Sequence, residues 1–432
     1  MAEKISRKII QRVLRWLAKL TIKRYRPRIV GVTGSVGKTS TKEAVYLVLQ
    51  QKYSVRRSSG NYNNEIGIPL TILGATAAGR SILGWLGVFI KSSLKIIYCR
   101  YPQIIILEMG VDRPGDMDYL LDFIKLDVGI LTKISSLPAH LEFFKSVEKL
   151  AQEKIKLVSS LGKGKRAIIN ADDPIIKKHL VDIKASSLTF GIEETASVKA
   201  SNIVTDSEFT KRENGIGGVT FKLQYKKSIV PVRLPYILAR HQIYAALAAA
   251  ASGIALGLNL VEISQALAEL KPAPGRMSLL SGIKNSYLID DTYNASPDSV
   301  TAALMVLGEL KVDGKKIAVL GDMKELGDKN EEGHRKVGRL AATADILVTV
   351  GESAKFIADQ ALQAGLAQDQ IFQFAGAVEA GKFIQNNILQ EGDLALVKGS
   401  QAMRMEKIVK ELMTEPLRAS ELLVRQEEYW LE

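Results

Sequence analysis

Soft metal ligands are scarce in this 432-residue chain: Cys99 is its one cysteine, and there are four histidines. A lone cysteine excludes intrachain disulfides and zinc sites built from several thiolates. It fits a reducing, cytoplasmic setting. Acidic residues are scarce at the start of the chain. Residues 1–28 hold ten Lys or Arg against Glu3, which is +9 of the net +13. The basicity therefore belongs to one arm, and a nucleic-acid-binding body is not implied. The arm has no long uncharged apolar core and no small-residue cleavage site, so neither a signal peptide nor a spanning helix is expected there. There is no internal repeat and no low-complexity segment.

What is present is 47% apolar and 24% charged, the balance of a folded chain with cores for two or three domains. In the arm, Ile5, Ile9, Val13, Trp16, Leu17 and Leu20 recur at helical spacing among the cations, which predicts a basic amphipathic helix over residues 1–27. Two readings stay open for it: peripheral contact with anionic lipid, or a helix packed on the first domain with a solvated basic face. Residues 81–98, SILGWLGVFIKSSLKIIY, are interrupted by Lys91 and Lys95. They predict a second amphipathic helix, buried or lying on a membrane but not crossing it.

The organising stretch is residues 28–43, RIVGVTGSVGKTSTKE. An apolar strand runs into a glycine-rich turn and then a helix, so backbone N–H groups converge where phosphate oxygens can sit. Gly34 and Gly37 allow the tight curvature. Gly34, Ser35, Gly37, Lys38, Thr39 and Ser40 form the expected nucleotide cradle, with Lys38 on the outer phosphates and Thr39 on Mg²⁺. Val32 stands where the general motif has its first glycine. The polar stretch 57–73, RSSGNYNNEIGIPLTIL, suits substrate or phosphate contacts.

Buried strands are predicted at 103–107, 128–131 and 167–169, with helices at 117–124 and 147–161 between them. This alternation argues for an α/β fold with a parallel sheet, and ligands gather at the carboxyl ends of its strands. Glu108 follows the strand QIIIL and is placed to meet a metal at the phosphate loop. Shorter alternating segments fill 186–235, before an alanine-rich helix at 239–256. A second doubly wound, Rossmann-like alternation begins near Ser281 and continues to the helix at 402–413. KPAPG at 271–275 reads as the linker. The expected division is therefore 1–27, 28–272 and 273–432.

The strings GVTGSVGKTSTKE, GNYNNEIGIPLT, LEMGVDRPGD, AHLEFF, NADDP, PGRM, DDTYNASPDS, VLGDMKELG and VKGSQAM, in this order, resemble the Mur ligase family. Within it they resemble the type that joins D-alanyl-D-alanine to UDP-N-acetylmuramoyl-tripeptide in peptidoglycan synthesis. The resemblance implies a P-loop central domain and a Rossmann-like C-terminal domain, with ATP and Mg²⁺. It also implies amide formation through an acyl phosphate, catalysed by positioning and charge neutralisation.

Residue by residue, the resemblance implies Thr39 and Glu108 on one Mg²⁺, with His140 and a carbamylated Lys154 on a second. From the residues alone, Lys154 is one helix lysine among several, Lys149 and Lys156 included, and His140 could be a plain surface histidine. Asn63 and Asn64 match the substrate side of the ATP site. Gln242, Arg276, Asp291, Tyr293 and Asn294 match positions near the nucleotide. Lys398, Gly399 and Ser400 match a loop that approaches on closure of the last domain. Of the adjacent pair Asp290 and Asp291, a plain strand-end turn could account for one. Monomeric action on small-molecule substrates is expected.

Three departures stand out. Only 27 residues precede the first strand, where the family carries a UDP-binding domain. The helix start that the family writes Gly-x-His-Asn-x-x-Asn here runs from Ala239 to Ala245, so Gln242 keeps an amide for adenine and Ala245 does not. Lys133 stands where an asparagine often precedes the AHLE loop. Competing readings are a ligase for a different, lipid-linked acid, a non-catalytic ATP-binding protein, and an ATPase driving conformational work. Folylpolyglutamate synthetases fit the motifs less well, and the amidating relatives carry a four-cysteine zinc ribbon that one cysteine cannot build.

Overall fold

The computed structural model describes residues 2–58, 62–79, 81–98, 100–135, 143–144, 146–179, 183, 185–206, 218–426 and 430. The arm is helix α1 (Ala2–Tyr25), followed by β1 (Arg28–Thr33), α2 (Lys38–Leu49), β2 (Val55–Arg57), α3 (Gly67–Leu73) and α4 (Ile82–Tyr98). Then come β3 (Ile104–Glu108), α5 (Asp116–Phe123), β4 (Val128–Leu131), α6 (Val147–Ser159), β5 (Arg166–Asn170) and the single turn α7 (Pro174–Lys177). Strands β6 (Ser186–Gly191), β7 (Val198–Asp206), β8 (Gly218–Tyr225) and β9 (Ser228–Leu234) complete a nine-stranded sheet of order β2-β3-β1-β4-β5-β6-β7-β8-β9. Pairings from β2 through β7 are parallel, and β7, β8 and β9 are antiparallel.

Both faces of the parallel part are covered, as near-continuous apolar strands require. Val30, Val32, Ile104 and Ile106 point to a core with α2, α8 (Ile243–Ala255) and α9 (Leu260–Leu267). Their neighbours Ile29, Ile105 and Leu107 point to the opposite core with α3, α5 and α6. The alanine content of α8 lets α2 approach closely: a Cβ on Gly253 would lie 2.8 Å from Val48.

The second sheet comprises β10 (Ser278–Gly282), β11 (Ser286–Asp291), β12 (Lys316–Gly321), β13 (Ile346–Val350), β14 (Ile371–Phe374) and β15 (Leu394–Lys398). Its order is β10-β11-β15-β12-β13-β14, parallel except for the antiparallel edge strand β10. Helices α10 (Pro297–Glu309), α11 (Asn330–Ala341) and α12 (Lys355–Gln363) cover one face, and α13 (Ala377–Phe383), α14 (Glu406–Leu412) and α15 (Ala419–Leu422) the other. The α/β reading and the doubly wound second half hold. Strands β2 and β10 and helix α9 went unanticipated, the two strands being a short edge and a half-exposed edge. Residues 377–388 are α-helical only as far as Phe383 and continue as a π-turn.

The arm is packed. Leu14 and Leu17, with Ile10 and Val13 beside them, join Leu70 and Leu73 of α3 and Trp85 of α4 in one apolar cluster. On its other flank Arg7 pairs with Glu65, and Arg15 and Lys19 with Asp122. No described helix is long and apolar enough to cross a membrane. Replacing the fully buried Leu14 with alanine should cost about 2–5 kcal/mol of stability in a denaturant titration. Arg12→Ala, on the exposed face of the same helix, should stay within about 0.5 kcal/mol of the parent.

Candidate active site

Strand β1 delivers the chain to the phosphate loop at the carboxyl end of the sheet. Gly34 sits where a Cβ would lie 2.0 Å from the Thr132 hydroxyl, and Gly37 takes φ 85° at the start of α2 with open space around it. The neighbouring β4 end holds the loop: Ser35 and Val36 donate their N–H groups to the Lys133 carbonyl at 2.6 and 3.4 Å, and the Thr132 hydroxyl donates to the Val36 carbonyl at 2.7 Å. Lys133 thus serves through its backbone, which any side chain supplies. Helix α2 begins at Lys38 without a side-chain cap, so its first-turn N–H groups face the loop mouth.

Lys38 folds back to donate to the Gly34 carbonyl at 2.9 Å. Burial pushes its pKa below the ordinary lysine value, opposed by Glu108 and Asp112 and reinforced by Arg276. Thr39 donates its hydroxyl to Glu108 Oε1 at 3.3 Å. Glu108 is the last residue of β3 and is 2% exposed. Its Oε1 is also within 3.5 Å of the Asn63 amide nitrogen, while Oε2 has no hydrogen-bond partner and only the distant Lys42 ammonium at 3.8 Å. A buried carboxylate oxygen left unpartnered is costly.

That orphaned oxygen fits a hard cation. Among the described residues no three His, Cys, Asp or Glu gather as a metal-ligand group. The Thr39 hydroxyl and the Glu108 carboxylate are oxygen donors of the kind that suit a hard cation shared with phosphate.

Lys154, on α6, is 3% exposed. Its pKa is pushed down to about 7, first by burial and then by Lys38, against Asp112, Glu153 and Asp116. Its neighbours differ: Lys156 pairs with Asp118 and Glu153 at the surface, and Lys149 is exposed. His140 lies outside the described residues. Asn64 points its carbonyl oxygen at the N–H groups of Ile66 and Gly67, capping α3, so of the two asparagines Asn63 is the one at the carboxylate.

The second sheet brings its own residues to the loop. The Arg276 guanidinium stacks on the Tyr293 ring at 3.8 Å and reaches the Thr39 hydroxyl at 3.5 Å, with its Nε buried and unpartnered. Gln242 accepts from the Ala239 N–H at 3.1 Å and donates to the Arg276 carbonyl at 3.4 Å, so it braces the arginine segment. Lys398 pairs with Asp291 at 2.6 Å and donates to the Asn294 carbonyl at 2.9 Å. Asn294 accepts from the Ala295 N–H, and Ser400 accepts from the Lys324 N–H. Asp290 is the turn residue of the acidic pair, accepting from the Gly275 N–H and from the N–H and hydroxyl of Thr292.

Three contributors escaped the motif reading. The buried Arg425 donates to the carbonyls of Thr292 and Tyr293 and pairs with Glu406 at 2.7 Å, fixing the tyrosine loop from the far end of the chain. His241, just ahead of α8, lies within electrostatic reach of Asp291, Lys398 and Lys133. The Ser135 hydroxyl donates to Asp298 at 2.6 Å and links the two sheets' domains. Asp112, inside LEMGVDRPGD, and Asp298, inside DDTYNASPDS, sit in motifs that could have marked them.

A phosphate loop facing a buried carboxylate, closed over by an arginine and a tyrosine from a second α/β unit, defines a nucleotide-dependent ligase of the Mur type. The family model for the Mur ligase middle domain matches residues 32–84 and 88–253, and that for the Mur ligase, glutamate ligase domain matches residues 275–401. The chain belongs to the Mur ligase family. Its relatives include the UDP-N-acetylmuramoyl-tripeptide–D-alanyl-D-alanine ligase of Bacillus subtilis, 30% identical over 406 residues that cover 94% of this chain and 80% of the relative. The enzyme of the same name from Escherichia coli is 31% identical over 387 residues, 89% and 76% of the two chains. The crystal structure of MurF ligase from Thermotoga maritima in complex with ADP aligns with a TM-score of 0.75 at 27% identity, covering 93% of this chain and 83% of that one.

Burial pushes the Asp290 carboxyl up to about 6 despite its three hydrogen bonds. Between about pH 4 and pH 6 the folded state then holds a proton that the unfolded state has released. Stability contributed here falls as pH rises through that window. Against Asp290→Asn, which does not titrate, the parent should lose relative stability between pH 4 and 6.5, by at most ~3 kcal/mol, in paired denaturant titrations.

Proposed function

We propose that this protein is an ATP-dependent amide ligase that joins D-alanyl-D-alanine to a UDP-N-acetylmuramoyl-tripeptide in peptidoglycan synthesis. The observation that carries the proposal is the convergence of Thr39, Glu108 and Arg276 on one point, the first two at the start of α2 and the end of β3 and the third in the turn before β10. The relatives' names supply the substrates. The reading takes the enzyme to be a monomer.

In this reading Gly34, Ser35, Gly37, Lys38, Thr39 and Ser40 cradle the ATP phosphates, and Lys38 leaves the Gly34 carbonyl for a phosphate oxygen. Thr39 and Glu108 would hold Mg²⁺, which neutralises charge on the outer phosphates when bound. Asn63, with Asn64 beside it, faces the acid. An oxygen of the substrate carboxylate attacks the γ-phosphorus, the bridging P–O bond breaks, and ADP leaves. The amine nitrogen of D-alanyl-D-alanine then attacks the acyl carbon, loses a proton, and the C–O bond to phosphate breaks. Arg276 lies where it can meet the charge that develops during transfer. Tyr293, Asn294, Asp291 and Gln242 shape the nucleotide side, and Lys398 and Ser400 line the closing edge. Closure keeps water from the acyl phosphate.

Lys154 suits carbamylation because a lysine with pKa about 7 presents a neutral amine. Its nitrogen adds to the carbon of CO₂ and loses a proton, which makes an anion able to help hold a second cation with His140.

Phosphate release from ATP should require both substrates together and yield a joined product by mass. Release that neither substrate stimulates, alone or with the other, would overturn the assignment. Glu108→Gln should lower kcat by roughly 10²–10³ while leaving the circular dichroism spectrum unchanged. With ¹³C-bicarbonate, a carbamate resonance should appear in the parent and be absent from Lys154→Ala; parent spectra without it would exclude the modification.

A further inference from the structure

Helix α4 turns Trp85, Ser92 and Ile96 toward the protein and leaves Ile82, Leu83, Leu86, Ile90, Leu94 and Ile97 between 53% and 83% exposed. Steps of three and four residues put these six on one stripe along the whole helix. Beside it, α1 buries Leu14 and Leu17 and exposes Ile9, Trp16 and Leu20 on its outer side. The Tyr25 hydroxyl ties the pair by donating to the Lys95 and Ile96 carbonyls. A patch this apolar on a chain's surface marks a contact site.

Its borders are cationic. The sequence has no Asp or Glu from residue 4 to 42 or from 66 to 107, so beyond Glu3 neither helix carries an acid. Arg7, Arg15 and Lys19 of α1 are paired with Glu65 and Asp122. Lys8, Arg12 and Lys23 of α1 and Lys91 of α4 are exposed, and no carboxylate among the described residues pairs with them. We propose that the outer faces of α1 and α4 together form a docking surface for a bilayer leaflet containing anionic lipid. The aliphatic stripe enters the acyl boundary by about 5–10 Å. Trp16 sits at the headgroup level, and the bordering cations meet lipid phosphates. A second copy of the chain is the poorer occupant, because an isologous contact would set these cationic borders against each other. Neither helix spans the bilayer, since none described is long and apolar enough.

The test is flotation of the full chain with vesicles of equimolar phosphatidylcholine and phosphatidylglycerol. Binding should fall about tenfold or more on pure phosphatidylcholine or in high salt. The double variant Ile90→Glu/Leu94→Glu should lose binding by about tenfold or more while keeping the parent's circular dichroism and its turnover in vesicle-free solution. Absence of flotation on the anionic vesicles, or flotation of the double variant like the parent, would overturn the proposal. So would a parent that sediments as a dimer and a double variant that sediments as a monomer, since the face would then be a self-association surface.

Discussion

The Glu108 carboxylate is the constraint around which the other parts are arranged. It is buried at the end of a central strand with one oxygen lacking a hydrogen-bond partner, and such a group persists only if something else compensates it. Register explains how it reaches the loop: Glu108 lies opposite Val32, so the strand end and the phosphate turn leave the sheet at the same level. Lys42 is held away, its ammonium donating to the Ser58 carbonyl at 2.9 Å, which keeps one side of the carboxylate open. An acid poised this way, beside uncapped N–H groups at a helix start, has use for a cation and a polyphosphate together.

The first half of this site was legible because it is local. A strand, two glycines, a lysine and a threonine lie within a few residues, and the period of the apolar pattern shows where the strand ends. The family motifs added Arg276, Tyr293 and Lys398, and the structure sets the first two against the loop. What could not be read was how side chains divide between substrate and scaffold. Asn63 and Asn64 are adjacent and alike, yet one faces Glu108 and the other caps a helix. Asp290 and Asp291 split in the same way, one into a turn and one into an ion pair with Lys398. Those choices depend on partners distant in sequence.

Arg425 shows the same limit from the other side. Its guanidinium ties the 292–293 carbonyls to Glu406, so the tyrosine on which Arg276 stacks is positioned from the chain's end. Paired, fully enclosed charges of this sort contribute little net stability but are severe to break, since one removed partner leaves the other uncompensated. Their value here is geometric. The stack needs a fixed ring, and a backbone gripped at two carbonyls supplies one.

The docking face and the reaction centre share a structural member. All seven residues of α3 are buried, its first turn is capped by Asn64, and its Leu70 and Leu73 pack against Leu14, Leu17 and Trp85. The loop carrying Asn63 therefore runs without slack into a helix covered by α1 and α4. Close-packed interiors transmit displacement instead of absorbing it. Whatever fixes the orientation of α1 and α4 consequently bears on the direction in which Asn63 faces. The exposed stripe on α4 is stabilised only by covering it, since each large aliphatic side chain returned to an apolar medium contributes roughly 1.5–3 kcal/mol when fully buried. Six such residues in line exceed what a solvated helix needs for folding. Their placement on the outer side of the helix pair that clamps α3 makes sense if the surface that covers them also sets the approach to the active site.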